Sequence, residues 1–165
     1  MRPPLLVSCV LLAIGIAARL PCAPVVAATF DDASLRGITS IKVFVEGVDP
    51  ADKKSGLTDR VLQTDVESQL RKAGITVSDD ATAYLDVNVN TLRSGQGLTS
   101  FSALLMVGQP ATLIRDTTIT APDASTWWKG TDGITVTNDL SIVRDAIGDL
   151  VEQFIAAYHK ENRPR

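Results

Sequence analysis

One histidine, His159, and two cysteines, Cys9 and Cys22, are all that this 165-residue chain offers toward zinc or thiol chemistry. His159 falls in the last turn of a C-terminal helical pattern, between Tyr158 and Lys160, where an exposed imidazole suits the helix dipole. Both cysteines lie in an N-terminal segment expected to be removed. The remaining chain then has no disulfide, no thiol nucleophile and no conventional zinc constellation, and a surface histidine leaves no Ser-His-Asp triad. Asp86, Asn88 and Asn90 have the spacing of the first three oxygen ligands of a calcium loop. Such a loop needs glycine at its sixth position and a bidentate glutamate at its twelfth, and Thr91 and Gly97 stand there instead. Gly95-Gln96-Gly97 reads as a turn, because the strand that follows it provides no helix N-terminus for a phosphate. Asp31/Asp32 and Asp79/Asp80 pair carboxylates as a glycoside hydrolase must, but both pairs sit in loops with nothing to desolvate them. No cofactor and no metal are expected.

Trp127-Trp128 is the most unusual dipeptide. Neighbours in a strand face opposite sides, so one indole belongs in a core and the other on the open face. The outer ring then either packs along a neighbouring strand or under a loop, or anchors a partner or a sugar, since tryptophan is enriched at binding hot spots.

The elements that would position these residues follow from periodicity. Ile41, Val43 and Val45 alternate with Lys42, Phe44 and Glu46 in a strand over 41–48. Asp49 to Gly56 reads as a charged turn. Leu57, Val61, Leu62, Val66, Leu70 and Ala73 make the apolar stripe of a helix over 58–73, closed by Gly74. Ile75-Thr76-Val77 starts a short strand. In the strand over 83–92, Leu85, Val87 and Val89 face a core while Tyr84, Asp86, Asn88 and Asn90 face water. A hairpin tip over 94–100 leads to a strand over 101–107. That strand resumes at 111–114 after a bulge or edge position marked by Gly108 and Pro110. A further strand covers 125–129, reaching 134–136 past an Asp132-Gly133 turn. A helix over 140–159, capped by Asn138 or Asp139, buries Leu140, Val143, Ile147, Leu150, Val151, Phe154 and Tyr158. The expected fold is α+β, in the order β-α-β-β-β-β-α. Its mixed or antiparallel sheet has about five strands, with two amphipathic helices on one face and the other face polar and accessible.

Residues 1–28 have the three parts of a cleavable signal peptide. Arg2 supplies the charge, Leu5 to Ala18 the apolar stretch, and Val26-Ala27-Ala28 the small residues before a cut at Thr29; a cut after Ala27 fits nearly as well. Arg19 interrupts the apolar stretch before it reaches the roughly 20 residues of a membrane span. Leu6-Val7-Ser8-Cys9 lacks a preceding apolar region, and Pro21 before Cys22 is too bulky for a lipoprotein box. Residues 29–165 are therefore expected to form one periplasmic or secreted domain without a membrane span, opening on a loose polar leader at 29–34. Losing Arg2 and Arg19 takes the sixteen basic residues to fourteen against nineteen acidic ones, a formal charge of −5. Nucleic acid and anionic membranes are disfavoured as partners.

Leu35-Arg36-Gly37-Ile38, Ile41-Lys42-Val43, Leu70-Arg71-Lys72-Ala73-Gly74-Ile75 and the Thr126-Trp127 pair resemble segments of small exported bacterial proteins of unknown function. The element order is more distantly similar to the α+β domains of envelope assembly lipoproteins of the curli-assembly and lipopolysaccharide-assembly types. The chain departs from those lipoproteins in lacking a credible lipidated cysteine, so their outer-membrane tethering is not carried over, and no functional residue transfers. The resulting expectation is a non-enzymatic domain that binds another protein or envelope component through its open sheet face. Tyr84, Asp86, Asn88, Asn90, Trp127 and Trp128 are the candidate contacts. The alternatives are a binder of a small molecule or glycan in a pocket near Trp127 and Trp128, and a carboxylate-based hydrolase.

Overall fold

The alternation of Ile41, Val43 and Val45 with polar or exposed neighbours forms strand β1 (Ile41–Val45). The computed structural model of the chain describes residues 32–136 and 140–163. The expected signal segment with Cys9 and Cys22, Asp31, and the Asn138/Asp139 cap lie outside the described residues.

Asp49 turns the charged stretch after β1 into a short helix, α1 (Pro50–Lys54). Its carboxylate accepts from the Ala51 N–H at 2.7 Å, and Pro50 fits the first turn, where no backbone donor is needed. Asp52 of α1 is buried and accepts from Thr91 Oγ1 and Arg93 Nη2, both at 2.5 Å. It ties α1 to the end of β2 (Ala83–Arg93). Helix α2 (Asp59–Lys72) begins where Thr58 Oγ1 accepts from the Val61 N–H. It ends before Gly74, whose φ of 78° is the left-handed conformation that glycine adopts at low cost. Leu62, Val66 and Leu70 are its buried stripe.

Strands β3 (Leu98–Leu113) and β4 (Asp116–Val136) form one long hairpin. The sheet order is β1-β2-β3-β4, with β1 and β2 parallel and the other pairs antiparallel. The expected α+β class and mixed sheet are present, with four strands where about five were expected. Gly108 and Pro110 do mark bulges, with register shifts after Val107 and after Gln109, but the ladder continues past them. The expected Asp132-Gly133 turn is absent because Gly133 lies within β4 opposite Phe101, whose ring would be 2.5 Å from a Cβ there. Ile75-Thr76-Val77 reaches only an isolated parallel bridge between Ile41 and Val77, not a strand.

Helix α3 (Ser141–Glu161) buries Val143, Ile147, Leu150, Val151, Phe154 and Ala157. It packs on β3, β4 and α2, while α2 packs on β1, so both long helices cover one sheet face. The described part of the stretch expected to be a loose leader is instead a docked 3-10 turn over Asp32–Leu35. Leu35 is fully buried, and Ser34 Oγ donates to the Thr126 carbonyl at 2.8 Å. Asp32 accepts from Trp127 Nε1 and Lys160 Nζ. The Lys160 hydrogen bond is the largest influence holding its carboxyl below the usual range.

Candidate functional site

Strand register decides what the uncovered sheet face carries. Phe44, Asp86, Met106 and Trp128 stand opposite one another across the four strands and form one row. The next row toward the starts of β1 and β2 places Lys42, Tyr84, Gly108 and Ser125 together. On the other side, Asn88 stands opposite Leu104 and Leu104 opposite Gly130, followed by Asn90, Ser102 and Asp132. The face is accessible as expected, but it is not simply polar. Phe44 is 53% and Trp128 42% exposed, and Leu104 and Met106 are half-buried between them. The alternation of β2 reveals only the polar strand of this face. The unbroken run Leu104-Leu105-Met106-Val107 hides which of its members point outward, and pairing with β2 resolves them.

Tyr84 lies flat over Gly108, so close that a Cβ there would be 2.2 Å from the ring. Its hydroxyl donates to Asp123 Oδ1 at 2.6 Å, which fastens β2 to β4 across β3. That bond, burial and the surrounding carboxylates push the phenol up to about 12. Asn88 donates to Glu46, and Asn90 donates to Asn88 Oδ1 at 2.6 Å. Asn90 is exposed at the margin of the face, and Asn88 is half-buried.

Asp86 departs most from a wet-face residue. It is only 4% exposed, and its Oδ1 is enclosed without a hydrogen-bond partner. Burial raises its carboxyl to about 6, with Glu46 and then Asp123 adding to the shift as nearby negative charges, while the Val87 backbone N–H opposes it. A buried polar atom left unpaired costs about 1–3 kcal/mol, and more when charged.

The two tryptophans separate as their strand alternation requires. Trp128 joins the open face. Trp127 is fully buried on the helix side, edge-on to Phe154 at a centroid distance of 5.3 Å. Trp127 therefore leaves the set of candidate contacts, because no surface of its ring is available to a partner. The structure brings Tyr84, Asp86, Asn88 and Trp128 onto one surface and adds Phe44, Glu46, Met106 and Asp123. Phe44 was legible as the outward member of its alternating strand. Asp123 was not, since only the Tyr84 contact across β3 shows its place.

Asp79 and Asp80 are exposed in the turn before β2, and Asp32 is paired with Lys160. A groove of about 600 Å³ between α2 and α3 is lined by Asp65, Gln69, Lys72, Arg144 and Glu152, among others. Another of about 630 Å³ lies at the far end of the sheet around Leu92, Phe101 and Ile134. Neither includes Trp127 or Trp128. His159 is exposed in the last turn of α3, edge-on to the Tyr158 ring.

The fold and this surface define an α+β domain with one helix-shielded and one open sheet face. No protein-family model matches the chain, and no curated protein matches it in sequence. Among solved structures, the PelC dodecamer from Paraburkholderia phytofirmans is 12% identical, with a TM-score of 0.37 over 82% of this chain and 91% of that one. A minor lipoprotein from Acinetobacter baumannii is 14% identical, with a TM-score of 0.33 over 72% of this chain and 91% of that one. Likenesses this loose say nothing of what this chain does.

Proposed function

We propose that this is an exported, non-enzymatic domain that binds another protein or envelope component through its open sheet face. The observation that carries the reading is the row Phe44–Asp86–Met106–Trp128. It sets two part-exposed aromatic rings and a thioether around a carboxylate whose buried oxygen lacks a partner. Met106 and Trp128 neighbour each other on β3 and β4, and Phe44 flanks Asp86 from β1; exposed apolar groups gathered on one face mark interaction sites more often than scattered ones do. Aromatic residues and methionine are also enriched in the buried centres of interfaces.

Photo-crosslinking in the native host tests the face. Phe44→p-benzoylphenylalanine and Trp128→p-benzoylphenylalanine are expected to give a discrete adduct, while Asp149→p-benzoylphenylalanine on the helix surface gives none. Adducts from the helix position alone, or from none of the three, would refute the reading. Export is checked separately by N-terminal sequencing of the protein recovered outside the cytoplasm, which should begin at Thr29 or Ala28. A cytosolic protein retaining Met1 would contradict it.

A further inference from the structure

Resting on the reading of the open face as a docking surface, we propose that the partner is a protein segment that seats a cationic side chain, guanidinium or ammonium, against Asp86. Charge complementarity favours this occupant. Glu46, Asp86, Asp123 and Asp132 lie on this face, with Lys42 as the cation that the same register brings there. The other basic residues of the neighbouring strands, Arg93 and Lys129, belong to the helix side, and Arg93 is already paired with Asp52.

The second observation is independent of charge. Asp86 Oδ1 is enclosed and unpartnered, so it has hydrogen-bond capacity that the fold does not use. A charged donor is the partner such an oxygen binds most strongly. The walls fit the same ligand. Phe44 stands on the adjacent strand, about 5 Å from Asp86 along the row, and Met106 and Trp128 continue it on the other side. An aromatic face beside a carboxylate holds a cation by its ring quadrupole as well as by charge. Methionine is an unbranched, adaptable side chain, and more than half of Phe44 is exposed, so both can yield to admit a donor. Among the described residues no group of three or more His, Cys, Asp or Glu side chains could hold a metal ion. An organic cation with an apolar stem therefore suits the site better than an inorganic one.

The test uses two peptides, acetyl-Gly-Arg-Gly-amide and its citrulline counterpart, which share a shape and differ in charge. Each is titrated into the isotope-labelled mature protein and followed by backbone amide shifts at about pH 7.5. The arginine peptide should shift Phe44, Asp86, Met106 and Trp128 and bind at least about tenfold more tightly than the citrulline peptide, the effect of one charge-assisted hydrogen bond. Asp86→Asn should abolish the preference, and Glu46→Gln, which spares Asp86, should reduce it. The preference should also fall at about pH 5, where Asp86 takes up a proton. The charged and titratable groups around Asp86 are Lys42 from β1 and Glu46 just after it, Tyr84 from β2, and Asp123 from β4. Equal affinities for the two peptides, shifts confined to other surfaces, or no shifts would overturn the proposal. If crosslinks from positions 44 and 128 persist despite that result, the docking face stands and only its charge preference falls. If arginine is preferred but no crosslink forms, the docking reading fails instead.

Discussion

Replacing Asp86 with asparagine keeps the shape of the side chain and removes its charge, so this substitution isolates the free energy of the buried carboxylate. In the folded chain the group is raised from 3.8 to about 6 by burial and by Glu46 and Asp123. In the unfolded chain it titrates near the ordinary aspartate value of about 3.9. Between those two values the native state holds a proton that the unfolded chain has released. Stability therefore falls as pH rises through this window. About two units at roughly 1.4 kcal/mol each make the ionised group cost roughly 2–3 kcal/mol above pH 6. The cost vanishes below about pH 4, where both states are protonated. Asp86→Asn should accordingly be the more stable protein at about pH 7.5, by roughly 2–3 kcal/mol, and should converge with the wild type toward pH 4. Urea titrations across this range, followed by circular dichroism, read the difference directly. With a slope of about 1–3 kcal/mol/M, the midpoint should rise by on the order of 1 M at the higher pH. An asparagine variant that is less stable at pH 7.5 would refute the reasoning. So would a difference that does not change with pH, because the fold would then already satisfy the ionised carboxylate.

Three further outcomes are expected. Trp127→Ala should cost about 3–5 kcal/mol in chemical denaturation because it empties a core position against Phe154, whereas Trp128→Ala should stay within about 1 kcal/mol; equal losses would contradict their placement on opposite faces. Gly108→Ala should lower stability by about 1–3 kcal/mol by driving a methyl group into the Tyr84 ring, and Tyr84→Ala in the same chain should restore part of the loss. A chain ending at Asp139 lacks the buried stripe of α3 and should show no cooperative thermal transition.

The two long helices were readable because their apolar residues recur at a spacing that only one backbone geometry turns to one side, whereas α1 has no such stripe and was read as a turn. Gly74 marked the end of α2 by the backbone conformation it adopts there, whereas the capping role of Thr58 emerges only from the structure. The leader was misread because Asp32, Ala33 and Ser34 are small or polar and carry no periodic apolar pattern. What docks them is tertiary, through Trp127, Lys160 and Thr126. The strand count was overestimated by one because Ile75-Thr76-Val77 reaches only a single bridge, and β3 and β4 run longer than expected through the Gly, Pro and Asp-Gly that punctuate them. These residues serve bulges and ring contacts there rather than turns. In the candidate site, Tyr84, Asp86, Asn88 and Asn90 were placed on their face by period-two alternation alone. The apolar members opposite them depend on register, which a single strand does not encode. The burial of Asp86 on a face that alternation marks as wet follows from its neighbours in space, Phe44 and Met106.

The docked Asp32–Leu35 turn also sets the direction in which the polypeptide enters the domain. Asp32 is held by Lys160 of α3 and by Trp127 on the shielded side of the sheet. The Leu35 carbonyl and Gly37 amide meet Asn162 just beyond that helix. Both ends of the described polypeptide thus lie beside the C-terminal end of α3, on the helix side of the sheet. A bead, dye or carrier joined at either end would sit at the back of the domain and leave Phe44 and Trp128 looking outward. Immobilisation through either terminus is therefore the orientation in which capture by the opposite surface can be measured without obstruction.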